Sequence, residues 1–188
     1  MKKILFALFV TMCFMGCSSL DKGKQIKLHG LIMDSDGKGV PSYRIMKGNR
    51  EVALTNSKGY FEVNAVYGEG VNFQLKKKDW ETIDFCEEKC DLTNLYVFKA
   101  RSIDSVCREI EKSLDECDYE KLESIFAALP DELHDKTRVK YLEAVACFNQ
   151  DKIDEALEIL YGEEFMENNG GAVNEFVSML ERKKGGKE

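Results

Sequence analysis

The reactive side chains of this chain are few: seven cysteines, two histidines and a scatter of carboxylates. A zinc site needs about four nitrogen or sulfur ligands at close spacing. His29 and His134 stand apart, one on an expected strand and the other in an expected loop between helices. No spacing joins either histidine to a nucleophile, so Ser/His/Asp and Cys/His catalysis find no constellation. Cys86 and Cys90 enclose Glu-Glu-Lys and would form a local disulfide if that loop folds back. Setting aside Cys13 and Cys17 leaves five thiols, an odd number, so at least one stays free or pairs outside the chain. Asp34-Ser-Asp36-Gly37 begins like a calcium loop, but Ile45 stands where the acidic closing ligand belongs, and it reads as a polar turn. Glu163-Glu164 lie among other charges, with no apolar setting to raise a pKa. Lys76-Lys77-Lys78 reads as a solubilising strand edge. Trp80, Tyr43, Tyr60 and Tyr67 offer rings on which a sugar could stack, but a single Trp in so small a sandwich reads first as a packing residue. No catalytic residue, metal or cofactor is assigned.

Cys17 has a different setting. Lys2 and Lys3 precede 13 uncharged residues, Ile4 to Gly16. A helix of that length reaches about 20 Å, against the ~30 Å hydrocarbon core of a bilayer, so it suits a secretory signal better than a membrane span. Phe14-Met15-Gly16-Cys17 resembles the lipobox of bacterial lipoproteins, with Gly16 as the small residue before the cut. That resemblance implies cleavage between Gly16 and Cys17, palmitate-like acyl chains on Cys17, and, with Ser18 next, sorting to the outer membrane. At ~0.8 kcal/mol per buried CH₂, two chains anchor firmly. Residues 1–16 are then the signal peptide and 17–24 a polar tether.

The charge is uneven. Residues 17–100 carry 13 basic and 12 acidic side chains, whereas 101–188 carry 12 basic and 22 acidic, a net charge of −10. An acidic half of this kind argues against nucleic acid or anionic lipid as its partner.

The hydrophobic period divides the chain at the same place. Ile26, Leu28, Gly30 and Ile32 alternate with Lys27, His29, Leu31 and Met33, the pattern of a strand with one apolar face. VPSYRIMK, REVALT, YFEV, VNFQLKK, WETIDFC and LTNLYVFKA continue it, separated by turn signals, and predict seven antiparallel strands in a β-sandwich over 25–99. Within this stretch Gly30-Leu-Ile-Met-Asp34, Gly37-Lys-Gly39-Val-Pro41 and Thr55-Asn-Ser-Lys-Gly59-Tyr-Phe61 resemble the carboxypeptidase regulatory-like domain, a transthyretin-like sandwich. The resemblance implies an accessory or interaction module.

After Ala100 the period becomes helical. Ile103, Val106, Cys107, Ile110 and Leu114 share one stripe, and Tyr119 to Leu129 make a second helix stopped by Pro130. Tyr141 to Phe148 and Ile153 to Leu160 make another hairpin, and Val173 to Leu180 a last helix. The two hairpins are in register at a separation of 34 residues, which pairs Ile110 with Ala144, Leu122 with Ala156 and Tyr119 with Ile153. Ala144, Phe148, Gln150, Ile153, Glu155-Ala156-Leu157 and Leu160 resemble the tetratricopeptide consensus. The predicted fold is α+β: the sandwich, then a tetratricopeptide-like helical domain over 102–182, with 183–188 as a disordered tail. The expected function is that of a non-enzymatic, lipid-anchored envelope protein that binds another protein, with no nucleic acid partner. The alternatives are a glycan- or cell-wall-binding module and an accessory subunit of an envelope hydrolase.

Overall fold

The structure, a computed structural model, describes residues 23–91, 95–162 and 171–186. Seven strands come first: β1 (Gln25–Met33), β2 (Arg44–Lys47), β3 (Arg50–Leu54), β4 (Tyr60–Val66), β5 (Val71–Lys76), β6 (Ile83–Glu87) and β7 (Leu95–Lys99). Six helices follow among the described residues: α1 (Ile103–Asp115), α2 (Tyr119–Ala127), α3 (Asp131–His134), α4 (Thr137–Asn149), α5 (Ile153–Leu160) and α6 (Ala172–Gly185). The fold is α+β, and the chain divides into two compact units. Among the described residues, the first takes 23–33, Gly39–Leu75 and Ile83–Phe98; the second takes Asp34–Lys38, Lys76–Thr82 and those from Lys99 onward.

The first unit is sandwich-like, with sheets ordered β4-β1-β7 and β3-β2-β5-β6. In β1 the expected residues, Ile26, Leu28, Gly30 and Ile32, are all buried. Aromatic rings join the two inner faces. Phe85 of β6 meets Phe98 of β7 edge-on at 5.4 Å and Tyr96 at 4.7 Å. Phe61 of β4 lies opposite Gly30, and a Cβ on Gly30 would fall 2.1 Å from its ring. The glycine is there because the ring occupies the space a side chain would fill.

The segment expected to begin a second strand at Val40 instead wraps inward. Ser42 takes a left-handed φ of 60°, Tyr43 is completely buried, and β2 starts only at Arg44. Thr55 holds this corner: its hydroxyl accepts from Tyr43 N and donates to Val40 O, each at 2.8 Å. Replacing it with isosteric valine removes both of these buried hydrogen bonds. Thr55→Val is expected to cost about 2–3 kcal/mol, read as a lower urea midpoint at unchanged slope.

In the second unit α1 is capped by Ser102, whose hydroxyl accepts from Ser105 N at 3.1 Å. The helix bounds repeat at 34 residues: 103–115 against 137–149, and starts at 119 and 153. The turns repeat as well. Cys117 and Asp151 are both left-handed, at φ 55° and 61°. Cys117 N bonds Leu114 O as Asp151 N bonds Phe148 O, and Asp118 N bonds Ser113 O as Lys152 N bonds Cys147 O. One buried cluster gathers Val106, Ile110, Leu122, Leu133, Val139 and Leu142. Another gathers Ala144, Ala156, Leu160, Val173, Val177 and Leu180.

Two expectations are corrected here. His134 does not sit in a loop: Pro130 ends α2, its carbonyl accepts from Leu133 and His134, and a single helical turn follows because Leu133 packs inward. Nor does 183–188 begin a tail at Lys183, since α6 runs on to Gly185. Lys183 pairs with Asp151 at 3.2 Å and lies 4.4 Å from the Phe148 ring centre, while Lys184 pairs with Asp154 at 2.6 Å. Cations in the last turn also suit the negative end of the helix dipole.

Candidate functional site

Gly16 and Cys17, and Glu163-Glu164 with them, lie outside the described residues. Cys86 and Cys90 are both free, so the expected bridge is not formed. The reason is orientation: Cys86 faces outward from β6 opposite Asn72, whereas Cys90 is buried and its thiol is pushed up in pKa by that burial. Cys107, Cys117 and Cys147 are free as well. The Asp34 carboxylate closes a polar turn by accepting from Asp36 N at 3.0 Å and Lys38 N at 2.8 Å. Among the described residues no group of three or more His, Cys, Asp and Glu is arranged to hold a metal, and no helix is long and apolar enough to cross a membrane.

The rings named as a sugar platform part company. Tyr43 is core, and Tyr67 is half-buried just beyond β4. Trp80 precedes β6 instead of lying in it, in a bridge with Ser102, and Lys77 Nζ stands 4.8 Å from its ring centre. Burial lowers the Lys77 pKa. Only Tyr60 is left on an outward sheet face.

Tyr60 has acquired partners that spacing alone did not suggest. Antiparallel pairing sets His29 opposite Glu62 and Leu31 opposite Tyr60, which brings Lys27, His29, Tyr60 and Glu62 to one patch of the β4-β1-β7 sheet. The Tyr60 hydroxyl donates to Glu62 Oε1 at 2.8 Å, and His29 Nδ1 lies 2.5 Å from the Tyr60 oxygen. Because the single phenolic proton goes to Glu62, His29 must donate from Nδ1, and Nε2 is left as an acceptor in the neutral ring. Lys27 Nζ reaches Glu62 Oε2 at 2.8 Å. The Lys27 hydrogen bond, and then that from Tyr60, hold the Glu62 carboxyl below its ordinary pKa, while the Glu62 bond raises the Tyr60 phenol.

Since the Glu62 pKa is lowered on folding, its contribution is present above the ordinary carboxylate range and lost as pH falls through the lowered value. Lys27→Met is expected to move the Glu62 titration upward, seen in carboxyl ¹³C shifts against pH. An unmoved titration would break the assignment.

The second surface feature is an open groove of about 700 Å³ in the helical unit, lined by Tyr141 of α4 and by Asn174, Glu175, Phe176, Ser178, Met179 and Arg182 of α6. Tyr141 and Phe176 pack with ring centres 5.6 Å apart, and Met179 is 37% exposed, an apolar floor with polar sides. His134 lies elsewhere in the unit, with Nε2 3.2 Å from Glu143 Oε2, and is not brought to His29.

No model of a known protein family matches the chain, and no curated protein does. Solved structures match part of the chain, each at low identity. A chain of a type II cohesin–X–dockerin complex from Acetivibrio cellulolyticus is 14% identical with a TM-score of 0.35, over 43% of this chain and 60% of that one. Catechol 1,2-dioxygenase from Acinetobacter sp. is 12% identical with a TM-score of 0.33, over 47% and 56%. BcpA, the major pilin subunit of Bacillus cereus, is 11% identical with a TM-score of 0.30, over 42% and 28%. The chain thus spans less than two thirds of each, and likenesses this slight carry no argument about activity.

What remains is the chemistry of two surfaces. The groove offers aromatic and thioether carbon flanked by carboxylate and guanidinium. The sheet patch offers two rings and a matched ion pair. Both present groups that suit binding.

Proposed function

We propose that this chain is a lipid-anchored cell-envelope protein whose helical unit holds another protein. The anchor is Cys17, acylated after cleavage behind Gly16, with the outer membrane as its seat. The sandwich is a carboxypeptidase regulatory-like module and the helices are tetratricopeptide-like units. The observation that carries the reading is the recurrence at 34 residues of helix bounds, left-handed turn residues and turn hydrogen bonds. Stacked helical hairpins of this kind present one continuous surface made from successive first helices. Here α4 and α6 border the open groove with Tyr141 and Met179.

The test has two parts. Palmitate labelling should mark the wild type and leave Cys17→Ala unlabelled; equal label removes the anchor. A photo-crosslinking residue at Met179 should give one discrete adduct in intact cells, lost in Tyr141→Ala, while the same residue at the exposed Glu120 of α2 gives none. Equal adducts from both positions, or none from Met179, remove the docking role.

A further inference from the structure

We propose that the outer face of the β4-β1-β7 sheet binds a neutral pyranose unit of a polysaccharide on a flat plate formed by His29 and Tyr60. The two ring planes differ by 19°, and their centres are 6.0 Å apart. Nδ1 and the phenolic oxygen each lie in the plane of their own ring, and they are 2.5 Å apart. Rings that touch through in-plane atoms at this separation lie side by side, edge to edge, rather than one above the other. Together they make a single aromatic surface wider than either ring, across two paired strands.

The plate is built, not incidental. Its hydrogen bond is continued from Tyr60 to Glu62 and from Glu62 to Lys27, so both rings are oriented before any ligand arrives. Preorganisation of this kind removes an ordering cost that a free side chain would pay on binding. The sheet beneath is fixed by the opposite faces of the same strands, where Leu28, Phe61 and Val63 are buried.

The chemistry of the rim selects the ligand. A pyranose presents a face of C–H groups that packs on an aromatic surface, and hydroxyls around its edge that need both donors and acceptors. The patch supplies both: the Lys27 ammonium, whose side chain is 63% exposed, the Glu62 carboxylate, and the acceptor Nε2 of His29. A nucleobase would also stack on such a plate. Single-stranded nucleic acid, however, needs a positive groove along its phosphates, and the Lys27 ammonium beside the rings is neutralised by Glu62 at 2.8 Å. The sugar is the better match. The patch belongs to the sandwich unit and the groove to the helical one, so this inference and the docking role stand or fall separately.

The experiment is isothermal titration of the full-length protein in detergent micelles with cellohexaose, maltohexaose, mannohexaose and chitohexaose, and with a twelve-residue oligothymidylate. At least one hexasaccharide is expected to bind with a Kd at or below about 1 mM, the range of a single stacked sugar with a few hydrogen bonds. Tyr60→Ala should weaken it by about tenfold. Tyr60→Phe keeps the ring but removes both hydrogen bonds, and should give a smaller loss. His29→Ala, on the same outward face, keeps the result readable if Tyr60→Ala lowers the folded fraction. Asn72→Ala, exposed on β5 of the other sheet, should bind as wild type. No binding to any of the four sugars, binding indifferent to both ring deletions, or binding of the oligonucleotide instead would each overturn the proposal.

Discussion

Gly59→Ala is expected to destabilise the sandwich by about 3 kcal/mol or more, a large part of the 5–15 kcal/mol that holds a typical domain together. Two separate costs meet at this position. The backbone is left-handed, with φ +77°, and a Cβ there would fall 2.2 Å from Ile32 O and 2.7 Å from Val40 N. Both neighbours are backbone atoms tied into the junction: Ile32 N donates to Gly59 O and Val40 N to Ile32 O, each at 2.9 Å. They cannot rotate aside as a side chain would. Two nearby glycines separate the costs. Gly37 has φ +78° with nothing within 4 Å of its Cβ position, so Gly37→Ala carries strain alone, about 1 kcal/mol. Gly39 has no such φ, but its Cβ would lie 2.0 Å from Lys58 O, so Gly39→Ala carries the collision alone. In calorimetry the melting temperature should fall least for Gly37→Ala and most for Gly59→Ala, the latter by more than about 12 °C. A fall no larger for Gly59→Ala than for Gly37→Ala would show that the junction yields.

That junction explains why the sandwich was legible in sequence. Its three glycines and Thr55 fall in short local patterns, and β1 and β4 alternate with a period of two, so strand count and turn positions follow from neighbours along the chain. What escaped depends on partners distant in sequence. The inward wrap of Tyr43 is enforced by Thr55, twelve residues on, through a bond that no alternation encodes. The pairing of His29 with Tyr60 requires the register of β1 on β4, and a slip of one residue would have scattered the patch. Cys86 and Cys90 are near in sequence, yet the strand carries one thiol outward while the other is buried. Trp80 looked like a strand residue because of the hydrophobic run after it, but Asp79 at φ 62° breaks the chain just before it. The groove was half visible: Phe176 lay in the apolar stripe of the last helix, whereas Met179 stands off that stripe and gains a role only beside Tyr141.

The helical unit is expected to lose about 2–5 kcal/mol in Leu122→Ala and about 1–3 kcal/mol in Ala156→Leu. The 34-residue offset places these two residues at equivalent positions of α2 and α5. Leu122 is 1% exposed among Val106, Ile110 and Leu142, and shortening it leaves a cavity that the surrounding helices only partly close. Ala156 is fully buried in the cluster that also holds Ala144, and the small pair lets α4 and α5 approach closely. A leucine there must push the hairpin apart or leave its preferred rotamer. The equivalent positions are therefore not interchangeable, although the left-handed turn residues and turn hydrogen bonds recur. The double variant distinguishes two arrangements of the core. α4 contributes Leu142 and Ala146 to one cluster and Ala144 to the other. If the clusters act independently, the losses should add to within about 0.5 kcal/mol in urea unfolding followed at 222 nm. If exchanging the two side chains recovers stability instead, the hairpins share one deformable core, and the repeat would be mechanical as well as geometric: strain at α5 would be relieved by space made at α2, passed through α4.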